Sequence, residues 1–89
     1  MLVGFAYTET ALKNLGTIPA KFRGQIRKRI EALLSEPYPQ GSKRLKDTHH
    51  GEDPVHRVRS GDYRILYAVK GNPHQILVLD IDNRKDVYR

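Results

Sequence analysis

The sequence predicts an α+β domain, a small antiparallel sheet carrying an N-terminal helical hairpin on one face, in the order β-α-α-β-β-β. Three observations lead there. Apolar residues recur at helical spacing in one long stretch, Phe22, Ile26, Ile30, Leu33 and Leu34. Three runs of strand character follow it, joined by links too short to hold a crossover helix. The chain has 89 residues, which fits one domain over residues 1–89 with a modest core.

Each element has its own local signal. Leu2 to Tyr7 is short, apolar and aromatic, and reads as an opening strand. Thr8 suits the N-cap of a short helix over Glu9 to Leu15, with Gly16 as its stop. Pro19 suits the first position of a second helix. Lys21, Arg23, Arg27, Lys28 and Arg29 lie largely off that helix's apolar stripe, and Pro37 and Pro39 end it. Residues 37–53 read as a loop, because Pro37, Pro39, Gly41 and Gly51 stand among polar groups. Lys43, Arg44 and Lys46 fall inside it, around Leu45. Val55 to Arg59 alternates, Asp62 to Val69 is rich in Tyr, Ile and Val, and Gln75 to Ile81 is nearly all apolar. Ser60-Gly61 and Gly71-Asn72-Pro73 mark tight connections between these strands. The hairpin covers one face of the sheet and leaves the other open.

Composition removes several function classes. Hydrophobic residues make up 38% of the chain, enough for a packed globule and against global disorder. The absence of cysteine excludes a disulfide framework and thiolate metal sites. No apolar run approaches the ~18 residues of a membrane span, and the opening residues lack the features of a signal peptide. A cytoplasmic protein without a membrane partner is the expectation. Carboxylates are scattered, with Asp80 and Asp82 sharing a strand face, and no Mg²⁺ ligand set converges in sequence. No glycine-rich phosphate loop is present. Neither a metal nor a cofactor is expected. The formal charge of +6 and pI of about 9.8 make nucleic acid a candidate partner. A merely lysine-rich soluble surface is the competing reading, and the placement of the charges decides between them.

That placement is informative around Ser60-Gly61. In an extended strand Arg57 and Arg59 point to one face, and His56 and Val58 to the other. A two-residue loop at Ser60-Gly61 sets Arg57 opposite Arg64 and Arg59 opposite Asp62. A loop at Gly61-Asp62 sets Arg59 opposite Arg64 instead. Like charges directly opposed on a sheet cost some tenths of a kcal/mol, so stacking arginines there has little structural motive. An anionic ligand supplies one, since guanidinium groups grip phosphate bidentately. A solvated polar face is the alternative.

The chain closes on Asn83-Arg84-Lys85-Asp86-Val87-Tyr88-Arg89. A polar terminal tail is the bland reading, but Val87 and Tyr88 suit a packed or base-stacking role better. His49 and His50 are adjacent in the loop and could serve acid–base chemistry or simply be solvated. His56 is expected under the sheet, and His74 in a turn.

The run Val58-Arg59-Ser60-Gly61-Asp62-Tyr63-Arg64-Ile65-Leu66-Tyr67, together with the closing heptapeptide, resembles the RelE/ParE superfamily of type II toxins. The similarity extends to the opening strand, the Ala11-Leu12 helix, the amphipathic second helix and Lys43-Arg44-Leu45-Lys46. The resemblance implies a RelE-like microbial RNase fold and a toxin that cleaves mRNA in the ribosomal A site. It also implies a cognate antitoxin that wraps its surface. The implied reaction is metal-independent attack of an RNA 2′-hydroxyl on the adjacent phosphate, which needs a base, an acid and cations for the phosphorane charge. By family position, Arg64 holds the transition-state phosphate, Arg84 protonates or stabilises the leaving group, and Tyr88 orients the nucleotide or shares the proton transfer. Arg57 falls where relatives carry a basic residue proposed as general base. Lys43, Arg44, Lys46, Arg59 and Lys85 are the expected RNA-binding residues, with His49 and His50 as acid–base candidates.

Two positions depart from the family pattern. Val55 stands where better-studied members have a second lysine, and Asn83 where many relatives have histidine. Arginine stays protonated at any working pH, so Arg57 is expected to act electrostatically. The alternatives are a ParE-like gyrase poison without chemistry, a branch that usually lacks the basic set and terminal tyrosine, and a catalytically degenerate RNA- or ribosome-binding module.

Overall fold

The computed structural model describes residues 4–71 and 75–83. In chain order it holds β1 (Phe5–Tyr7), α1 (Glu9–Thr17), α2 (Ala20–Ser35), β2 (Lys43–His50), β3 (Asp53–Ser60), β4 (Tyr63–Lys70) and β5 (Gln75–Asn83). The five strands form one sheet in the order β1-β5-β4-β3-β2. The α+β class is as expected, with two differences in the sheet.

The first difference is β2, which occupies the stretch read as a loop. Lys43–His50 contains one apolar residue, Leu45, and every other residue in it is exposed. An edge strand of this kind is held by its backbone ladder to β3 and carries no buried alternation for a sequence to display. The second is direction. The last four strands form an antiparallel meander, but β1 pairs parallel to β5, Phe5 with Ile76 through Tyr7 with Val78, so the sheet is mixed. A three-residue edge strand carries no signal of its orientation. The two helices provide the crossover that a parallel pairing needs.

The helices begin close to where the sequence places them. Thr8 caps α1, its Oγ1 accepting from the Ala11 N–H at 3.1 Å. The same hydroxyl donates to the Leu79 carbonyl at 2.8 Å, which ties the start of α1 to β5. Gly16 lies inside α1 instead of ending it, and Pro19 is the residue before α2 instead of its first. Arg23 Nε donates to the Ile18 carbonyl at 2.9 Å and closes the link between the helices.

The apolar stripe of α2 does what its spacing predicts. Ile26, Ile30 and Leu33 are buried, and Phe22 and Leu34 pack at the margin of the same cluster. Their partners on the sheet are Val58, Tyr63, Ile65, Tyr67, Ile76, Val78 and Ile81, with Ala11 and Ile18 from the first helix and its link. Each large side chain of this kind contributes roughly 1.5–3 kcal/mol on burial. Tyr67, the largest fully buried residue, donates from its hydroxyl to the Pro37 carbonyl at 2.7 Å and so fixes the chain leaving α2. Burial raises the Tyr67 phenol above its ordinary value, although a hydrogen bond with Ser42 pulls the other way.

Candidate nucleic-acid interface

The β3–β4 turn settles which residues face each other. Ser60 pairs with Tyr63, so the loop is Gly61-Asp62, and Arg59 stands directly opposite Arg64. Gly61 has φ +61°, the left-handed backbone that the first loop position of such a turn demands and glycine supplies without strain. Arg57 consequently opposes Leu66. Of the two registers open from the sequence, this is the one that leaves Arg57 two positions along the strand from the Arg59–Arg64 pair.

The rows extend across the sheet. Arg59, Arg64 and Asp82 form one line over β3, β4 and β5, and Lys43, Arg57, Leu66 and Asp80 form the next, from β2 to β5. Strand alternation puts Lys43, Arg57, Arg59, Arg64 and Leu66 on the face away from the helices, whereas the pairing of β5 shifts register beside Leu66 and the Asp80 carboxylate reaches Asn14 of α1. Val58, Ile65 and Ile81 lie between the rows and point into the core. Arg57 and Arg64 are half-buried while Arg59 and Lys43 are exposed. Four cationic side chains are thereby gathered on one face, and Asp82 at the end of the row offsets part of their repulsion.

The face is not uniformly charged. Val55 and Ala68 are 3% and 0% exposed, yet neither belongs to the cluster under the helices. By alternation Val55 shares the side of Arg57 and Arg59, and Ala68 that of Arg64 and Leu66. Val55 is therefore an apolar, covered spot beside the cationic rows.

The other expected site residues separate. Arg44 pairs with His56 and lies on the opposite side of β2 from Lys43. Lys46 falls in the stretch between Arg44 and His49 where the register shifts, next to Asp47 with φ +59°. His49 and His50 pair with Pro54 and Asp53 at the far end of the β2–β3 hairpin. Pro54 is three residues from Arg57, about 10 Å along a strand, so the histidines stand apart from the arginine rows. Arg84, Lys85 and Tyr88 lie outside the described residues.

His56 sits where expected, on the helix side. Its ring lies 4.8 Å from that of Tyr38 and 5.8 Å from that of Tyr67. Burial lowers its pKa below the ordinary 6.5, and the Arg44 charge lowers it further. Asp80, the other strand carboxylate, accepts from Asn14 Nδ2 and from the Ile81 N–H, so it serves as an anchor for α1. Among the described residues no three His, Asp or Glu side chains gather as a metal site. Sequence reasoning did not pair Asp82 with Arg64. The parity of β5 and the choice of Gly61-Asp62 as the loop are the signals that find it.

Comparison with known proteins reaches the same family. Residues 5–88 match the family model described as the ParE toxin of the type II toxin-antitoxin system, parDE. The chain belongs to the RelE/ParE superfamily of type II toxins. Toxin RelE of Mycobacterium tuberculosis is 32% identical over 85 residues, covering 94% of this chain and 84% of that protein. Among solved structures, the archaeal RelE–RelB complex of Pyrococcus horikoshii matches with TM-score 0.75 and 25% identity over 94% of this chain and 97% of that one. The RelB–RelE complex of Methanococcus jannaschii matches with TM-score 0.68 and 26% identity over 92% and 93%. The protein is thus a type II toxin–antitoxin toxin of RelE type, and its helices and mixed sheet are those of the superfamily.

Proposed function

We propose that this toxin is an endonuclease that cuts mRNA in the ribosomal A site. The observation that carries the reading is the cationic face: Arg57, Arg59 and Arg64 on one side of two strands, with Lys43 in register beside them. Two arginines opposed on a sheet repel each other, an effect that Asp82 offsets only in part, whereas a phosphate between them turns repulsion into binding. The RelE relatives support the same reading.

In the proposed reaction the RNA 2′-hydroxyl loses its proton and its oxygen bonds to the adjacent phosphorus. The P–O5′ bond breaks and the leaving oxygen takes a proton, giving a 2′,3′-cyclic phosphate and a 5′-hydroxyl. Charge accumulates on the phosphoryl oxygens as this happens. In this reading Arg64, flanked by Arg59, stabilises it, and Arg57 acts electrostatically from the neighbouring row. Guanidinium charge supplies the electrophilic role, so the proposed chemistry is metal-independent. Arg84 as leaving-group stabiliser and Tyr88 as orienting or proton-sharing residue complete the proposal from the family pattern.

The proposed partners are the translating ribosome with its mRNA, and a cognate antitoxin. The structural neighbours were solved as complexes with RelB. An acidic or amphipathic antitoxin segment over the arginine rows would compete with RNA for the same guanidiniums. A cytoplasmic location follows from those partners. No described helix is long and apolar enough to cross a membrane.

The match to the ParE family model favours a second reading, a non-enzymatic gyrase poison. One experiment separates the two. Purified protein is added to cell-free translation and mRNA 5′ ends are mapped by primer extension, with and without translating ribosomes. Cuts at codon positions that need ribosomes and vanish with Arg64→Ala establish the endonuclease. Intact mRNA together with inhibited supercoiling by gyrase would replace it with the poison, and intact mRNA with retained ribosome binding would leave a degenerate binding module.

A further inference from the structure

Behind the arginine face, between α2 and the β3–β4 turn, runs a cleft that the proposed cleavage does not use. Two adjoining hollows of about 370 and 450 Å³ share Gln25, Ser60 and Gly61 in their walls. The first is of a size that takes a small ligand, and the second is a shallow, open stretch of surface beside it. The first is lined by the Phe22–Tyr63 ring pair, centroids 5.8 Å apart, and also by Asp62 and Asn83. Gln25 and Ser60 add an amide and a hydroxyl to its lining. Lys28 and Arg29 line the second.

We infer that this cleft is a second RNA subsite, holding the base and phosphate of a nucleotide neighbouring the one on the arginine face. The inference rests on the RNA reading above and deepens it. Three features carry it. A lining that combines aromatic rings with an amide and a hydroxyl matches a nucleobase, which has a stacking face and a hydrogen-bonding edge. Cations on the adjoining wall match the phosphate that every nucleotide brings. The cleft also adjoins the end of the arginine rows along the chain. Arg59 belongs to the rows, the next residue, Ser60, lines the cleft, and the Arg59 carbonyl accepts from Arg29 Nε at 3.2 Å.

The turn is suited to keep the cleft open. Gly61 has no side chain to fill it, and its positive φ disfavours any replacement. A single strand crossing from the rows around the turn would therefore meet cations at both ends and an aromatic surface between them.

The test uses the full chain and a fluorescein-labelled single-stranded RNA hexanucleotide, with a dinucleotide as the short control. Gln25 and Lys28 are exposed, so Gln25→Ala/Lys28→Ala should fold, which its amide spectrum verifies. The expected result is hexanucleotide binding weakened about tenfold in this variant, given one stacked base and one phosphate contact disturbed, while the dinucleotide affinity stays unchanged. Lys28→Arg with Gln25 intact should restore binding. In the wild-type protein the Gly61 N–H and Gln25 side-chain amide resonances should move with the hexanucleotide only. If Arg57→Ala and Arg64→Ala weaken the hexanucleotide but the cleft variant binds as wild type and those resonances stay still, the subsite is overturned and the RNA face stands. If no variant alters RNA binding, both readings fall.

Discussion

On the helix side of β3 and β4, Val58, Tyr63, Ile65 and Tyr67 are buried in a continuous apolar cluster. One residue away along the same strands, on the other side, stand Arg57, Arg59 and Arg64. The helix side is specified by volume and burial, where each side chain helps to hold its neighbours. The open side contains an arginine pair that the sheet would be slightly more stable without. Residues on the first face are thus expected to matter for folding and only indirectly for toxicity, and those on the second the reverse.

The largest expected effect breaks the helix side. Ile30→Ala empties a fully buried position in α2 and should lower unfolding free energy in urea by about 2–5 kcal/mol. That is a large share of the roughly 5–15 kcal/mol a small domain has. A loss under about 1 kcal/mol would mean the hairpin is not packed on the sheet as described.

Arg64→Ala sharpens the contrast from the other side. Ribosome-dependent cleavage should fall about 100-fold or more, as when a single charge-stabilising group is removed from an active site. The unfolding free energy in urea should change by no more than about 1 kcal/mol, because one opposed like charge goes with it. A variant that unfolds instead would return Arg64 to the structural residues.

Gly24→Ala tests a mid-helix glycine for which the fold has no evident use. A Cβ there meets nothing within 4 Å, and the substitution should stabilise by up to about 1 kcal/mol. If thermal unfolding shows a loss instead, α2 is packed more tightly at that point than described.

The smallest effect concerns pH. The folded-state pKa of His56 is depressed by burial and by Arg44, so the unfolded chain binds the proton more readily. The sign of linkage is then fixed. His56 contributes no penalty above its ordinary value of 6.5, and stability declines as pH falls from there toward the depressed folded value. Comparing urea midpoints at neutral pH and at about pH 5 should show a drop that is smaller in His56→Gln. Equal drops in both proteins would assign the acid sensitivity to other groups.

Much of the fold was legible because its signals are local. Helical spacing from Phe22 to Leu34, the cap at Thr8 and the alternation from Val55 to Arg59 all act within a few residues, where backbone geometry and burial leave a pattern. The arginines could be assigned to one face for the same reason. β2 was illegible because an exposed edge strand is defined by hydrogen bonds to its neighbour, which no side-chain pattern records. The site was read only in part. Lys43 and Arg44 look equivalent in sequence but diverge once β2 is a strand, and His49 and His50 prove distant because the hairpin carries them away from Arg57.

By itself, then, the sequence determined the α+β class, the stripe that α2 buries, the cationic character of one sheet face and the superfamily. The first three follow from periodicity and residue type, and the superfamily from the resemblance carried by the Val58–Tyr67 run and the closing heptapeptide. Tertiary structure alone decided which arginine opposes which, that Asp82 ends their row, that β1 runs parallel to β5, and that Gln25 and Ser60 line one cleft. All four depend on register and on contacts between residues far apart in the chain. Such pairings are chosen by the packing of the whole sheet against its helices, where a shift of one residue would turn every side chain to the other face.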